Sequence, residues 1–410
     1  MAEVMKPPPG IYSRRSFLRI AAGSALAVSG GGILAACSTT PGASSAAAST
    51  EPSAAGASPQ PTAPAASASG GEVGGTFAMF TWNGYDGGNV KEVQDWLAKE
   101  QITLDVKYIS NENLITFFKA PGAEKWDASS VNQGDSAYAF AQGISTEISI
   151  QEVPALADML PFFHDGDFWK VRDGVYNSVP WTWGPIGINT RTDRVPADAL
   201  KSYANLLDPK WTGRIGCFDD ALNMIATACC ATGDDPAVLT RDKLNGPVKD
   251  WLVKLKPQLK VLSTSIGDQE NLLFSGDVDI ELVGLTWFVG DAKKKNVPLD
   301  FRIPDQGSYG FVDALFITPS APHRANAVAW ANMLLSPDTG AALCNSVSQL
   351  SSVPAVNDKV DPAVRATYPE DLATYTSKTL KWNKSWYDPN GPYATIDEWR
   401  KVWEDVKALA

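Results

Sequence analysis

The stretch FTWNGYDGG (residues 80–88) places Trp82, Asn83, Tyr85 and Asp86 in a loop that three glycines leave free to turn. An aromatic face attracts a cation by roughly 0.5–2 kcal/mol per ring, and a carboxylate adds charge-assisted hydrogen bonds of about 1.5–3 kcal/mol each. These residue types suit an alkylammonium ion, whose methylenes lie on the rings while its nitrogens meet the acids. Asp313 is a second candidate, because it stands inside an apolar run, residues 311–317, where an idle carboxylate is costly to bury. Trp287 and Asp220 also stand at the ends of strand-like runs. Taken singly, the ordinary reading of Trp82, Tyr85 and Trp287 is core packing, and that of Asp220 is a helix cap.

Other chemistries find little support. The chain has two histidines, His164 and His323, and neither follows an aspartate at the spacing an esterase needs, although Gly134-Asp135-Ser136 resembles one nucleophile motif. An exported hydrolase is therefore the remote alternative. No His/Cys/Asp cluster has zinc spacing, and neither a phosphate-binding loop nor a dinucleotide glycine pattern is present. The reading is a binding protein, not an enzyme, with no cofactor and no metal.

The elements that position these residues follow from periodicity. Residues 76–81 alternate as a strand, residues 89–100 put Val90, Val93, Trp96 and Leu97 on one helical face, and residues 104–109 form a second strand. Asn111 is expected to cap a helix that turns Leu114, Phe117 and Phe118 inward, before a third strand at 126–131. Such alternation implies right-handed crossovers and a parallel sheet, with ligands at the carboxyl ends of the strands. The loop at 82–88 and the segment Asn132-Gln133-Gly134-Asp135 both lie at such ends. A second unit is expected from a strand at 185–189, a helix running into a surface turn at 202–213, and strands at 214–218, 277–286 and 311–317.

The first 75 residues read as address and tether. Arg14-Arg15 in SRRSFLR resembles a twin-arginine export signal, and the following apolar run, residues 20–36, is too short and glycine-rich for a membrane span. It ends in Leu34-Ala35-Ala36-Cys37, which resembles a lipobox with Cys37 as the lipid-bearing residue. Residues 38–75 are an Ala/Ser/Gly/Pro linker of roughly 31–37 Å as a coil. These 75 residues hold four of the 35 Lys+Arg and three of the 46 Asp+Glu, so the remainder nets −12 against −11 for the whole chain. An acidic body disfavours nucleic acid and membrane surfaces and suits cationic ligands. Cys217, Cys229, Cys230 and Cys344 are expected to be buried thiols, with a single disulfide as the alternative.

Seven segments in order, WNGYDG, WDASSVNQG, VPWTWGPIGINT, LLDPKWTGRIGCFDDALN, LFSGDVDIELVGLTW, PDQGSYGFVDALFI and SSVPAVN, resemble the spermidine/putrescine-binding family of ABC-transporter solute-binding proteins. The resemblance implies an α/β fold of the two-lobed periplasmic-binding type II kind, each lobe a mixed sheet flanked by helices, with the ligand in the cleft between them. Its division would be a signal at 1–36, lipid anchor and linker at 37–75, and a first lobe at 76–183 with a return at 310–355. A second lobe would take 184–309, and C-terminal helices at 356–410 would lie mainly on it. It implies ligand contacts from Trp82, Asn83, Tyr85, Asn132, Asp220, Trp287, Phe311, Asp313 and Asn383. Asn223 stands where the family has Glu, Phe311 where Trp is frequent, and Val353 where Tyr is common, so Asp86 and Asp135 become substitute acids. The implied protein is an exported, lipid-anchored monomer on the outer side of the cytoplasmic membrane, delivering a polyamine or other small organic cation to an ABC permease. Thiamine or another solute in the same fold is the alternative.

Overall fold

The structure is a computed structural model that describes residues 71–109, 114–164, 168–380 and 388–409. Arg14, Arg15, Cys37, Asn111 and Asn383 lie outside the described residues.

The expected alternation is present as β1 (Gly75–Thr81), α1 (Lys91–Lys99), β2 (Ile102–Tyr108), α2 (Leu114–Lys119) and β3 (Ala128–Asn132). β1 pairs in parallel with both β2 and β3. α1 buries Val93 and Leu97 and turns Trp96 edge-on to Trp330 at 5.8 Å. Gly87 precedes it at φ +64, and a Cβ there would lie 2.6 Å from Val93, so glycine alone permits this approach of loop to helix. α3 (Gln133–Ala141) follows β3 directly, and β4 (Ile148–Ser149), β5 (Lys170–Arg172) and β6 (Val175–Tyr176) make a small separate sheet.

The strand expected at 185–189 is β7 (Val179–Arg191), thirteen residues buried throughout. Its apolar run lacks polar alternation because elements cover both its faces. Then come β8 (Ile215–Phe218), α4 (Ala221–Thr232), β9 (Leu259–Ser263), α5 (Ile266–Ser275), β10 (Ile280–Gly284) and α6 (Thr286–Lys294). β11 (Leu299–Arg302), β12 (Tyr309–Ile317), α7 (Arg324–Leu334), α8 (Thr339–Ser346), β13 (Leu350–Ser351) and α9 (Ile396–Ala408) complete the elements used below.

The strand order is β2-β1-β3-β12-β7-β10-β8-β9, with β11 and β13 also on β7. β7 joins two half-sheets: Val179 to Ile186 pairs antiparallel with β12, and Gly187 onward with β10. β8 pairs in parallel with β9 and β10. The result is a two-lobed α/β fold with mixed sheets, as expected. The surface turn expected at the end of 202–213 is present at Thr212 and Gly213, but the residues before it are not an α-helix. They form two 3-10 turns, Tyr203–Leu207 and Pro209–Trp211, because Asp208 accepts from the Lys210 N–H and Pro209 restarts the backbone. The core holds Trp169, Trp181, Trp183, Trp211, Trp330 and Trp399, all under 2% exposed. Cys217, Cys229, Cys230 and Cys344 are free thiols, and no described helix is long and apolar enough to cross a membrane.

Candidate functional site

Asp313 sits in the middle of β12, paired in register with Asn132 of β3 and Thr182 of β7. Beyond this point β7 carries one extra residue, Trp181, between Thr182 and Pro180. Such a bulge re-aims a side chain. The Trp181 ring here stands edge-on to Tyr85 at 4.9 Å. Tyr85 comes from the turn after β1, where its N–H bonds to the Trp82 carbonyl at 3.1 Å and its ring meets Trp82 edge-on at 5.7 Å. The Tyr85 hydroxyl donates to Asp313 Oδ2 at 2.5 Å and lies 3.2 Å from Gln349 Oε1, which accepts from Thr182 at 2.8 Å.

Asp313 is 9% exposed, and Tyr85 is its one side-chain partner among the described residues. Burial pushes its carboxyl up to about 7, with the Tyr85 hydrogen bond acting the other way. Burial, and then the Asp313 charge, raises Tyr85 well above the usual phenol value, so the phenol keeps its proton. The nearby Cys344 thiol is pushed up to about 12 by burial and is neutral.

Phe311 and Asp313 are two residues apart and share a face of β12. Phe311 faces Gly184, where a Cβ would lie 3.0 Å from its ring, and meets the half-buried Trp287 of α6 edge-on at 6.5 Å. Tyr309 continues the same face, about 13 Å along the strand from Asp313. Its hydroxyl donates to the Asn223 carbonyl at 2.8 Å and lies 3.1 Å from Asn223 Oδ1. Asn223 in turn donates to Asp220 Oδ2 through its backbone N–H at 3.0 Å and its amide at 2.5 Å. Asp220 is thus the N-cap of α4, and burial raises its pKa against those bonds.

The structure therefore joins Trp82, Tyr85, Asn132 and Asp313 at one end of this face, Phe311 and Trp287 in the middle, and Asp220 and Asn223 at the other. Asn132 also caps α3, its Oδ1 accepting from the Asp135 N–H at 3.1 Å. Asn83 is exposed at the crest of the first loop. Of the substitute acids, Asp86 accepts from Tyr108 at 3.0 Å and Asp135 bonds with Asn132. Sequence reasoning missed Gln349, Thr182, Trp181 and Tyr309. The signal available for the last three was their place beside the aromatic and acidic residues of VPWTWG and YGFVD.

The arrangement is suited to reversible binding. The two histidines lie elsewhere, His164 against Tyr176 and His323 against Asp127. Residues 94–376, well over half the chain, match the family of bacterial extracellular solute-binding proteins. The chain belongs to that family. This solute-binding protein is 26% identical over 244 residues to the putrescine-binding periplasmic protein PotF of Escherichia coli, covering 55% of this chain and 64% of that one. It is 24% identical over 238 residues to the spermidine/putrescine-binding periplasmic protein of the same organism, covering 56% and 64%. The matched stretch thus spans just under two thirds of those relatives. Among solved structures, the spermidine/putrescine ABC transporter substrate-binding protein PotD of Streptococcus pneumoniae shares the fold at a TM-score of 0.64 and 17% identity, over 81% of this chain and 97% of that one.

Proposed function

We propose that this solute-binding protein captures a putrescine- or spermidine-like amine and hands it to an ABC permease in the membrane. The observation that carries this reading is Asp313: a buried acid with a phenol as its one side-chain partner among the described residues, beside the rings of Tyr85, Trp82 and Trp181. An ammonium supplies the charge this carboxylate lacks, and the methylenes pass toward Phe311 and Trp287. Asn132, Asn83 and Asn383 are proposed as polar contacts, and Asp220 with Asn223 as the far end. The curated relatives, named for putrescine and spermidine, support the same ligand class. Export through Arg14-Arg15 and lipid attachment at Cys37 are proposed with it, which would put residues 76–410 outside the cytoplasmic membrane.

Thermal unfolding with a panel of amines tests this. A ligand at one hundred times its Kd stabilises the native state by about 2.7 kcal/mol. A panel of putrescine, spermidine, cadaverine and monoamines that leaves the transition unmoved would remove the amine reading.

A further inference from the structure

Glu281, in β10, is fully buried, and neither of its carboxyl oxygens accepts a hydrogen bond. It lies across β8, where a Cβ at the paired Gly216 would overlap Glu281 Oε2. The side chain that acts on it is Gln269 of α5, whose hydrogen bonding opposes the larger effect of burial on the Glu281 pKa. Gln269 Nε2 donates to the Leu282 carbonyl at 2.6 Å and the Val283 carbonyl at 3.3 Å, which fixes which way the amide points. Its Oε1 has no donor. An ionised Glu281 would be a buried charge with no donor on either oxygen, whereas a protonated carboxyl gains an O–H that can supply the donor Gln269 Oε1 lacks.

The carbonyls that Gln269 holds belong to a strained turn. Val283 is β-branched yet has φ +61, and the register of β10 on β7 slips between Leu282 and Gly284. Asn189 holds the other side, its Oδ1 accepting from the Leu285 N–H at 2.6 Å. Such strain persists only where its surroundings over-determine it. The turn opens α6, whose second residue is Trp287, the ring facing Phe311.

We propose that Glu281 keeps its proton in the native protein and, through Gln269, acts as a positioning residue that holds the Val283 turn and so aims Trp287 at the ligand. The groups around it leave the proton in place. β8 presents Cys217, whose thiol burial raises far above its usual value, and Asp219 and Lys407, which also act on that thiol, pair with each other. β7 presents Asn189 and α5 presents Gln269, neither of which titrates. Burial likewise holds Glu281 well above the usual carboxylate range, outweighing the Gln269 hydrogen bond that acts the other way. The role assigned to Trp287 rests on the amine reading, while the proton and the turn do not.

The test compares wild type, Glu281→Gln and Gln269→Leu. Putrescine and spermidine are titrated by calorimetry, and ligand-free unfolding and tryptophan emission are followed from pH 5 to 8. Glutamine at 281 supplies an N–H to Gln269 Oε1, so its Kd should stay within about twofold of wild type, whereas Gln269→Leu should raise Kd about tenfold and shift the emission. A raised native pKa means that the native state binds the extra proton, so wild-type stability should fall relative to Glu281→Gln as pH rises from about 4.5. Tenfold weaker binding by Glu281→Gln, or a stability difference flat with pH, would overturn the proposal. If neither amine binds wild type, the ligand reading fails by itself, and the stability difference and emission still decide this one. Should Gln269→Leu not fold, Glu281→Gln carries the test through both readouts.

Discussion

The raised pKa of Asp313 makes amine affinity a function of pH in the neutral range. Only the ionised carboxyl attracts an ammonium, and the apparent Kd equals the intrinsic Kd divided by the competent fraction. With the carboxyl at about 7, that fraction is about 1/11 at pH 6 and about 10/11 at pH 8. The Kd for putrescine should therefore fall about tenfold from pH 6 to pH 8, or about 1.4 kcal/mol. The amine stays protonated throughout, and Tyr85 does not titrate in this window because burial raises it further. Binding must then release the Asp313 proton, about 0.9 at pH 6 and about 0.1 at pH 8, once the acid is held ionised. Calorimetry in phosphate and in Tris separates that release from the binding heat. Affinity that is unchanged between pH 6 and 8, or proton uptake in place of release, would refute the reasoning.

Tyr85→Phe removes the hydrogen bond that lowers the Asp313 pKa, so the midpoint of that pH profile should move above 7; a downward shift would contradict the assignment. Without ligand, the same acid makes the protein less stable as pH rises from about 3.8 through 7, because its native pKa exceeds the unfolded one, and Asp313→Asn should flatten that decline in urea unfolding. Gly184→Ala drives a Cβ to 3.0 Å from the Phe311 ring and 3.2 Å from the Tyr368 hydroxyl, so it should cost about 1–3 kcal/mol of stability and weaken amine binding, both read by unfolding and titration. Cys37→Ser should move the protein from the detergent phase to the aqueous phase, and lysines at 14 and 15 should block export, as fractionation of cells would show.

The parts of the site that the sequence revealed are those with a local pattern. Strand–helix alternation puts the loop of Trp82 and Tyr85 and the segment from Asn132 on one sheet edge, and both meet Asp313. Asp313 itself stood out as an acid in an apolar run. Asp220 was legible only as a choice, because a side chain three residues before a helical N–H serves as a cap as readily as a ligand contact; it is a cap here, and so is Asn132, for which a cap was not expected. Gln349 carries no local signal, since it meets Tyr85 and Thr182 through the pairing of β13 with β7, which are distant in sequence. The bulge at Trp181 and the positive φ at Val283 are tertiary outcomes that violate residue preference. The helix expected within 202–213 is instead two 3-10 turns, because Asp208-Pro209 interrupts it.

The most direct measurement is calorimetric titration of putrescine and spermidine at pH 8 into wild type and Asp313→Asn. The substitution keeps shape and part of the hydrogen bonding while deleting the charge. If an ammonium sits on Asp313, wild type binds at least one of the two amines and the variant binds it about 2–4 kcal/mol more weakly, as when one partner of a desolvated charge pair is removed. Equal amine affinity in the two proteins would contradict the account and leave the rings around Tyr85 holding something other than an organic cation.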